Sequence, residues 1–356
     1  MDLALLSALV GSLCLAVMIV FDRLMMGDCY KNSPDHAWFI SSSAGATFGL
    51  LATILTWLVY SNFTETTLSD IFTTAINLFW PHGLLMIVVG VINIQVMRHY
   101  FRLFIPDRNE QVNETSVAMW LSAVPIFIFL TTYILSFTIF NNSFLSGISQ
   151  VNLSIPFGLS VLLAAVAMMS FEYNTGGREA FRTERISEIA KMVSCIVAYT
   201  LLSSALLRSE ESNIISTLAL QPFYWIGFAA GVRVMFSHSR RSLFSSNWPR
   251  IKLFLLPIFI VEVIGTGVYY FEFLALSGAD PTLVNLITGA HIIPVFLLSL
   301  YLYSVRKNME RAALNHQWVF RLSLRRDLLP DKKLTMSRLV LFIIVVITLL
   351  LAISYS

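Results

Sequence analysis

The sequence predicts an all-α polytopic membrane protein, and three observations lead to that class. Hydrophobic residues make up 56% of the 356 residues and charged residues only 13%, the mean hydropathy is +0.73, and Lys and Arg are concentrated in alternate gaps between apolar stretches. No soluble fold has this composition. A helix needs about 20 apolar residues to cross a hydrocarbon core about 30 Å thick. Ten predicted spans approach that length: Leu3–Phe21, Ala37–Tyr60, Leu78–Met97, Ser116–Ser136, Ile155–Phe171, Ile189–Leu207, Pro222–Phe236, Leu253–Leu276, Leu283–Tyr303 and Leu339–Ser354.

The basic residues predict the orientation of these spans. Nearly all Lys and Arg residues lie in the odd-numbered gaps, whereas the even-numbered gaps hold essentially one, Arg208. Cytoplasmic loops retain basic residues, so both termini are predicted to face away from the cytoplasm, in a plasma or bacterial inner membrane. The first span lacks a basic leader and a small-residue cleavage site, which favours a retained helix over a signal peptide. The net charge of +3 follows from this bias and does not indicate a nucleic-acid partner.

Residues 304–335, between the ninth and tenth predicted spans, are more basic than this bias requires. Aromatic and aliphatic residues alternate there with Lys and Arg. Such a segment can lie on an anionic leaflet, where each basic residue contributes about 1 kcal/mol. A solvated loop is an equally good interpretation.

An internal repeat relates the two halves of the chain. Tyr100–Phe127 aligns without gaps to Tyr269–Phe296 at an offset of 169 residues, and the alignment pairs the mid-span prolines Pro125 and Pro294. Phe271–Ser277 then becomes an outer loop without basic residues, opposite a basic inner loop in the first half. Five spans per repeat is an odd number, so the second repeat enters the membrane inverted, an arrangement common in secondary transporters. The predicted units are residues 1–173 and 174–356.

Small residues support the same pairing of halves. The second predicted span contains Gly45 and Gly49, and the seventh contains Gly227 and Gly231. Two small residues four positions apart form a face on which helices approach closely.

A family resemblance rests on these segments. Phe273–Phe296, which runs through Ser-Gly-Ala-Asp-Pro-Thr to Gly-Ala-His-Ile-Ile-Pro-Val-Phe, resembles the span eight–nine signature of EamA-type members of the drug/metabolite transporter superfamily. Asn113–Phe127 looks like its equivalent in the first half, and Asp22-Arg23 is similar to an Asp-Lys pair found in some members. The resemblance implies a ten-helix bundle with a central cavity that moves metabolites, amino acids or drugs. Such members commonly keep both termini inside and have a shorter segment where this chain has residues 304–335.

Ionisable residues within the predicted spans are candidates for function, because a charge at the bilayer centre costs at least about 2.5 kcal/mol. Glu262 lies near the middle of the eighth predicted span, and its partner in the repeat is Asn93, close to Gln95. The helical period places Glu262 and Tyr269 on one face, which predicts a cavity lining. A carboxyl group in such surroundings can exchange protons, as proton-coupled transport requires. The alternative is a structural ion pair with Arg233.

Four residues complete the predicted substrate-binding or coupling set. His291 is a candidate to carry protons or to bind an anionic group, with a buried structural histidine as the alternative. The proline three residues later is expected to free the carbonyl of Ala290. Arg233 is a candidate anchor for a substrate carboxylate, or else a side chain that extends to the membrane surface. Asn285 offers neutral hydrogen bonds, and His82 is a candidate for an outer gate.

The function predicted from these features is secondary active transport of a small organic metabolite or drug by alternating access, coupled to protons. No catalytic set or metal motif emerges, so an enzyme, a cofactor and a metal are not expected. The expected partners are a small-molecule solute and membrane lipids, and the chain is expected to act as a monomer or homodimer. A translocase of lipid-linked head groups and a non-transporting membrane interaction protein are the alternatives. A lateral opening flanked by basic residues would favour the translocase.

Overall fold

The computed structural model describes residues 3–30, 33–104, 120–138, 183–209, 214–235 and 251–295, with a few isolated positions outside these ranges. These segments are helical and contain no strand. Six helices are long and apolar enough to cross a membrane: Leu3–Arg23, Pro34–Phe63, Leu68–Leu103, Ile186–Arg208, Ile214–Met235 and Lys252–Gly278. Two shorter apolar helices, Trp120–Leu135 and Pro281–Val295, accompany them. For the described residues, the all-helical class with several helices long and apolar enough to cross a membrane is therefore confirmed.

The six long helices coincide with the first, second, third, sixth, seventh and eighth predicted spans, and the two shorter ones overlap the fourth and ninth. Apart from isolated positions, the fifth and tenth predicted spans and the basic residues 304–335 lie outside the described residues. The number of ten spans therefore stays a prediction. The helices are, in chain order, α1 Leu3–Asp28, α2 Pro34–Phe63, α3 Leu68–Leu78, α4 Leu84–Leu103, α5 Val124–Thr138, α6 Thr183–Ser209, α7 Ile214–Met235, α8 Leu255–Gly278 and α9 Pro281–Gly289.

The third span begins ten residues earlier than its predicted start at Leu78. The Thr67 hydroxyl accepts a hydrogen bond from the Asp70 amide at 3.2 Å, and the Asp70 carboxylate accepts one from the Thr67 amide at 2.8 Å. This reciprocal cap starts α3. The helix is then interrupted at Trp80, whose φ of −114° and ψ of 125° are not helical, and α4 follows. Trp80 is 73% exposed, as is common for tryptophans at a membrane interface.

Glycines determine how closely α4 and α7 pack. A Cβ atom added at Gly227 would overlap the backbone of Ile87, and one added at Gly90 would overlap the backbone of Tyr224 and Phe228. The two helices therefore touch backbone to backbone, as small residues at membrane helix crossings allow. The glycine face predicted on the seventh span thus lies at a helix crossing in the structure.

The helices have a common basic end. A Cβ at Gly278 would stand 3.0 Å from the Cβ of Ala4, so α1 and α8 run antiparallel. The start of α1 and the end of α8 therefore lie at one end of the bundle. The opposite end, which we call the basic end, contains the ends of α4 and α7 and the starts of α2, α6 and α8. The described basic residues there are Arg23, Arg98, Arg102, Lys191, Arg233 and Lys252, whereas Arg208 lies toward the opposite end.

Both helices that carry a mid-span proline are interrupted just before it. A turn at Ala123 precedes Pro125, and a turn at Ala290 and His291 separates α9 from a short helical segment that contains Pro294. The Ser122 hydroxyl donates to the carbonyl of Gly289 at 2.7 Å, so the two interruptions meet.

At the second interruption, the backbone hydrogen bonds differ from the expectation that the proline frees the carbonyl of Ala290. The carbonyl of Ala290 accepts a hydrogen bond from the amide of Ile293 at 3.0 Å and is not free. The carbonyl of Thr288 instead accepts from the Ser12 hydroxyl at 3.4 Å and contacts Nδ1 of His291 at 2.7 Å. The carbonyl of Thr288 also accepts a hydrogen bond from the amide of His291 at 3.0 Å, so neither the Ala290 nor the Thr288 carbonyl is free.

Candidate functional site

A cavity of about 100 Å³ lies between α1, α4, α6, α8, α9 and the segment around Leu121 and Val124. This space exceeds several-fold what one ordered water requires. Of the predicted site residues, Asn93, Tyr269, Asn285 and His291 line it. The interruption at the end of α9 therefore forms part of the cavity wall, together with residues from both halves of the chain.

The other four predicted residues lie outside this lining. Gln95 donates from Nε2 to the Sδ atom of Met235 at 3.3 Å. His82 is half-buried in the irregular segment between α3 and α4. Arg233 is exposed near the end of α7 and lines a separate groove. Glu262 is buried behind the wall, and no ion pair joins it to Arg233 in the part of the chain that the structure describes.

Glu272 is a site residue that the sequence analysis missed. The predicted eighth span, Leu253–Leu276, contains Glu272, but the repeat alignment places it in the outer loop Phe271–Ser277. In the structure α8 continues to Gly278, and the Glu272 side chain lines the cavity. The Tyr199 hydroxyl donates to its Oε2 at 3.2 Å. Helical spacing could have indicated Glu272, because a residue three positions after Tyr269 lies on the same helix face as the predicted cavity lining.

A second bond between a tyrosine and a carboxyl group lies nearer the basic end. The Tyr100 hydroxyl, on α4, donates to Oδ2 of Asp22 on α1 at 3.0 Å. Tyr100 lines the cavity, whereas Asp22 lies behind it and is 1% exposed. The cavity therefore has one such bond toward each end of the bundle, α1 to α4 on one side and α6 to α8 on the other.

Aromatic rings form much of the remaining wall and its support. The ring centroids of Tyr199 and Tyr224 lie 6.2 Å apart, and those of Tyr224 and Tyr269 lie 5.8 Å apart. Nδ2 of Asn93 donates to the hydroxyl of Tyr224. The hydroxyl of Tyr269 points to the Sδ atom of Met97 at 3.4 Å. Asn93 thus ties α4 to the aromatic residues of α7.

Glu262 and Asp22 belong to a buried polar cluster next to the cavity. Glu262 lies against the glycine face of α2, where a Cβ at Gly45 would stand 3.1 Å from its Oε2, and it hydrogen-bonds the Ser41 side chain. Glu262 interacts electrostatically with Asp22, and the Tyr30 hydroxyl interacts with both carboxyl groups. Among the described residues, one oxygen of each carboxyl group and the Tyr30 hydroxyl have no hydrogen-bond partner. Two negative charges in such a place would be costly.

The aromatic wall connects this cluster to the cavity. Tyr269 interacts electrostatically with Glu272, Glu262 and Asp22. Tyr100 interacts with Asp22 and Glu262. Both tyrosines also line the cavity, so each interacts with the buried carboxyl pair and borders the cavity.

An ion cluster joins α4 to α6 at the basic end. Glu188 on α6 lies 3.5 Å from Nη1 of Arg102 and 3.3 Å from Nζ of Lys191, and Oε2 of Glu188 contacts Nδ1 of His99. This cluster holds α4 and α6 together beyond the cavity.

Within the described ranges, no group of three or more His, Cys, Asp or Glu side chains is arranged to hold a metal ion. No protein-family model and no curated protein matches this chain. Among the described residues, Glu272 is the one carboxyl group that lines the cavity, and Asp22 and Glu262 lie buried next to it.

Proposed function

We propose that the chain is a secondary active transporter that moves a small organic solute through the central cavity by alternating access. The observation that carries this proposal is a largely apolar cavity with a few polar side chains, among them Glu272 and Asn93, within a bundle of membrane-length helices and beside the interruption of α9. Interrupted helices at the centre of the bilayer are the places where transporters bind substrates and coupling ions. The resemblance to EamA-type transporters agrees with this function.

The helix contacts support an inverted repeat. If α1, α2, α4 and α5 correspond to α6, α7, α8 and α9, then each half should make the same contacts with the other. The packing of α1 on α8 is matched by that of α6 on α4, and the packing of α2 on α8 by that of α7 on α4. The packing of α1 on α9 is likewise matched by that of α6 on α5. A pseudo-two-fold axis in the membrane plane, which would exchange the two halves, would produce this matched set of helix contacts.

The cavity wall favours a solute that carries an amine. Glu272 is its carboxyl group, and no Lys or Arg is among the described residues that line it. Tyr100, Tyr199 and Tyr269 add hydroxyl groups and aromatic faces. An ammonium group gains from a carboxylate and from aromatic faces in a site shielded from water. A solute carboxylate would meet repulsion from Glu272.

The buried pair Asp22 and Glu262 is the proposed coupling site. Because two adjacent negative charges in a low-dielectric region are costly, the pair can hold a proton that is exchanged during the transport cycle. Tyr100 and Tyr269 line the cavity; Tyr100 hydrogen-bonds Asp22, and Tyr269 interacts electrostatically with both carboxyl groups, so a solute that moves either tyrosine changes the surroundings of the pair.

Selective amine binding tests the solute site. We expect the purified protein to bind benzylamine at least about tenfold more tightly than benzyl alcohol, a difference of about 1.4 kcal/mol. Glu272→Gln should remove this preference because it removes the negative charge, while the exposed Glu65→Gln should retain it. Isothermal titration calorimetry measures both affinities. Tighter binding of benzoate than of benzylamine would contradict the proposed site.

Transport itself is tested in proteoliposomes. Radiolabelled benzylamine should enter vesicles that contain the protein in response to a pH difference, and unlabelled benzylamine inside should exchange with it. Equal uptake by protein-free vesicles would refute the transport function, whatever the binding result.

Reporter fusions test the orientation. Fusions at Ser356 should be non-cytoplasmic, and fusions within residues 315–333 should be cytoplasmic. The basic end described above supports this orientation, since membrane proteins keep basic residues on the cytoplasmic side. A cytoplasmic reading at Ser356 would contradict the charge argument.

The translocase alternative required a lateral opening flanked by basic residues. The groove beside Arg233 opens between α2 and α7 but shares no lining residue with the cavity. We therefore do not propose head-group translocation through it.

A further inference from the structure

A groove of about 590 Å³ runs along the outer face of α2 and α7. Its α2 wall extends from Phe39 to Leu51, and its α7 wall is formed by Ala229, Val232 and Arg233. Twelve residues of helix span about 18 Å, which is close to half the thickness of a hydrocarbon core. The groove therefore covers the depth of about one leaflet.

The groove is polar at one end only. The hydroxyl of Ser43 donates to the carbonyl of Phe39 at 2.6 Å, and that of Thr47 donates to the carbonyl of Ser43 at 3.0 Å, so both are satisfied within α2. The other α2 residues of the wall are apolar. Arg233 is the charged residue of the lining and forms no ion pair with the residues that the structure describes.

The position of Arg233 along the groove follows from the helix pairing. A Cβ at Gly49 would meet Trp225, and one at Gly45 would come within 3.9 Å of Phe228, so α2 and α7 run antiparallel. Arg233 therefore lies beside the start of α2, at the basic end, and the apolar part of the groove extends from it toward the middle of the bilayer.

We propose that this groove binds an anionic phospholipid of the leaflet at the basic end, with its phosphate on Arg233 and one acyl chain along α2. The shape and polarity match such a lipid, because a charged head must lie at the surface and an apolar chain must point inward. A guanidinium group binds phosphate through paired hydrogen bonds, and basic sites between helices at this surface select anionic head groups. This inference does not depend on the transport function.

The experiment measures lipid binding to the full chain in detergent by native mass spectrometry, with phosphatidylglycerol and phosphatidylcholine as probes. The parent should retain phosphatidylglycerol at least about tenfold more strongly than phosphatidylcholine. Arg233→Gln should reduce this ratio to about two or less. Lys252→Gln, an exposed basic residue at the same end but outside the groove, is the matched control and should keep the parental ratio.

A second variant tests the acyl-chain part of the site. Ala229→Leu places extra volume in the groove without changing charge, and it should lower retention of both lipids at least about threefold. An unchanged ratio in Arg233→Gln would overturn the proposal. An equal loss in Lys252→Gln would also overturn it, since general attraction to basic residues would then account for the preference.

Discussion

Glu262→Gln is expected to abolish gradient-driven accumulation of solute while leaving solute binding intact. A pH difference of about one unit is worth about 1.4 kcal/mol per proton and sustains about a tenfold solute gradient. The amide keeps the size of the side chain but cannot exchange a proton, so the solute ratio across the vesicle membrane should fall to that of protein-free vesicles under the same pH difference. Proteoliposome uptake of labelled benzylamine with and without a pH difference measures this ratio.

Binding measurements separate coupling from solute recognition. Benzylamine affinity should vary with pH in the parent, because binding is linked to the protonation of the buried pair, and this variation should flatten in Glu262→Gln. Glu272→Gln should instead bind the amine more weakly than the parent protein does. If Glu262→Gln accumulates solute as well as the parent does, then the carboxyl group of Glu262 has only a structural role.

Gly227→Ala is expected to be severely destabilising although it adds a single methyl group. The new Cβ would overlap the backbone of Ile87, which cannot move aside as a flexible side chain can. Separating α4 from α7 would disturb the contact between Asn93 and Tyr224, so we expect a loss of at least about 2 kcal/mol of stability. Thermal unfolding of the purified protein, followed by intrinsic fluorescence, measures the effect.

Gly267→Ala provides the matched control. Gly267 lies within α8, and of the residues that the structure describes a Cβ there would meet only the ring of Phe271, at 4.0 Å. Alanine is the better helix former, so this variant should be as stable as the parent or slightly more stable. Equal stability of Gly227→Ala and the parent would mean that α4 and α7 are not in direct backbone contact.

The sequence predicted the class of fold well because hydropathy reports directly on burial in lipid. It was less accurate at the ends of helices. The start of α3 was missed because Ser69, Asp70 and Thr73 make its first turns polar, although the cap formed by Thr67 and Asp70 is itself a helix-start signal. The end of α8 at Gly278 lies close to the predicted end of the eighth span at Leu276, and only the repeat alignment places Glu272 in an outer loop. Its partner Tyr199 is 73 positions away in the chain, and no local pattern could reveal that contact.

Contacts between distant parts of the chain also explain why only some of the predicted site residues line the cavity. One cavity is lined by four of the predicted residues, because repeat position and helical period constrain which helix face they occupy: Asn93, Tyr269, Asn285 and His291. Arg233 does not line this cavity, since the orientation of α7 is determined by Gly227 and Gly231, which both face α4. A residue two positions after Gly231 lies about 200° around the helix and so faces away from α4.

The bond between Tyr199 and Glu272 gives the solute a direct effect on helix packing. On the proposed function, an ammonium group in the cavity competes with the Tyr199 hydroxyl for the same carboxyl group. Occupancy of the cavity then weakens a tie between α6 and α8 at the end opposite the basic residues, while Tyr100 and Asp22 still tie α1 to α4 near the basic end. An arriving solute would thus favour opening on one side only, and an empty cavity would restore both ties.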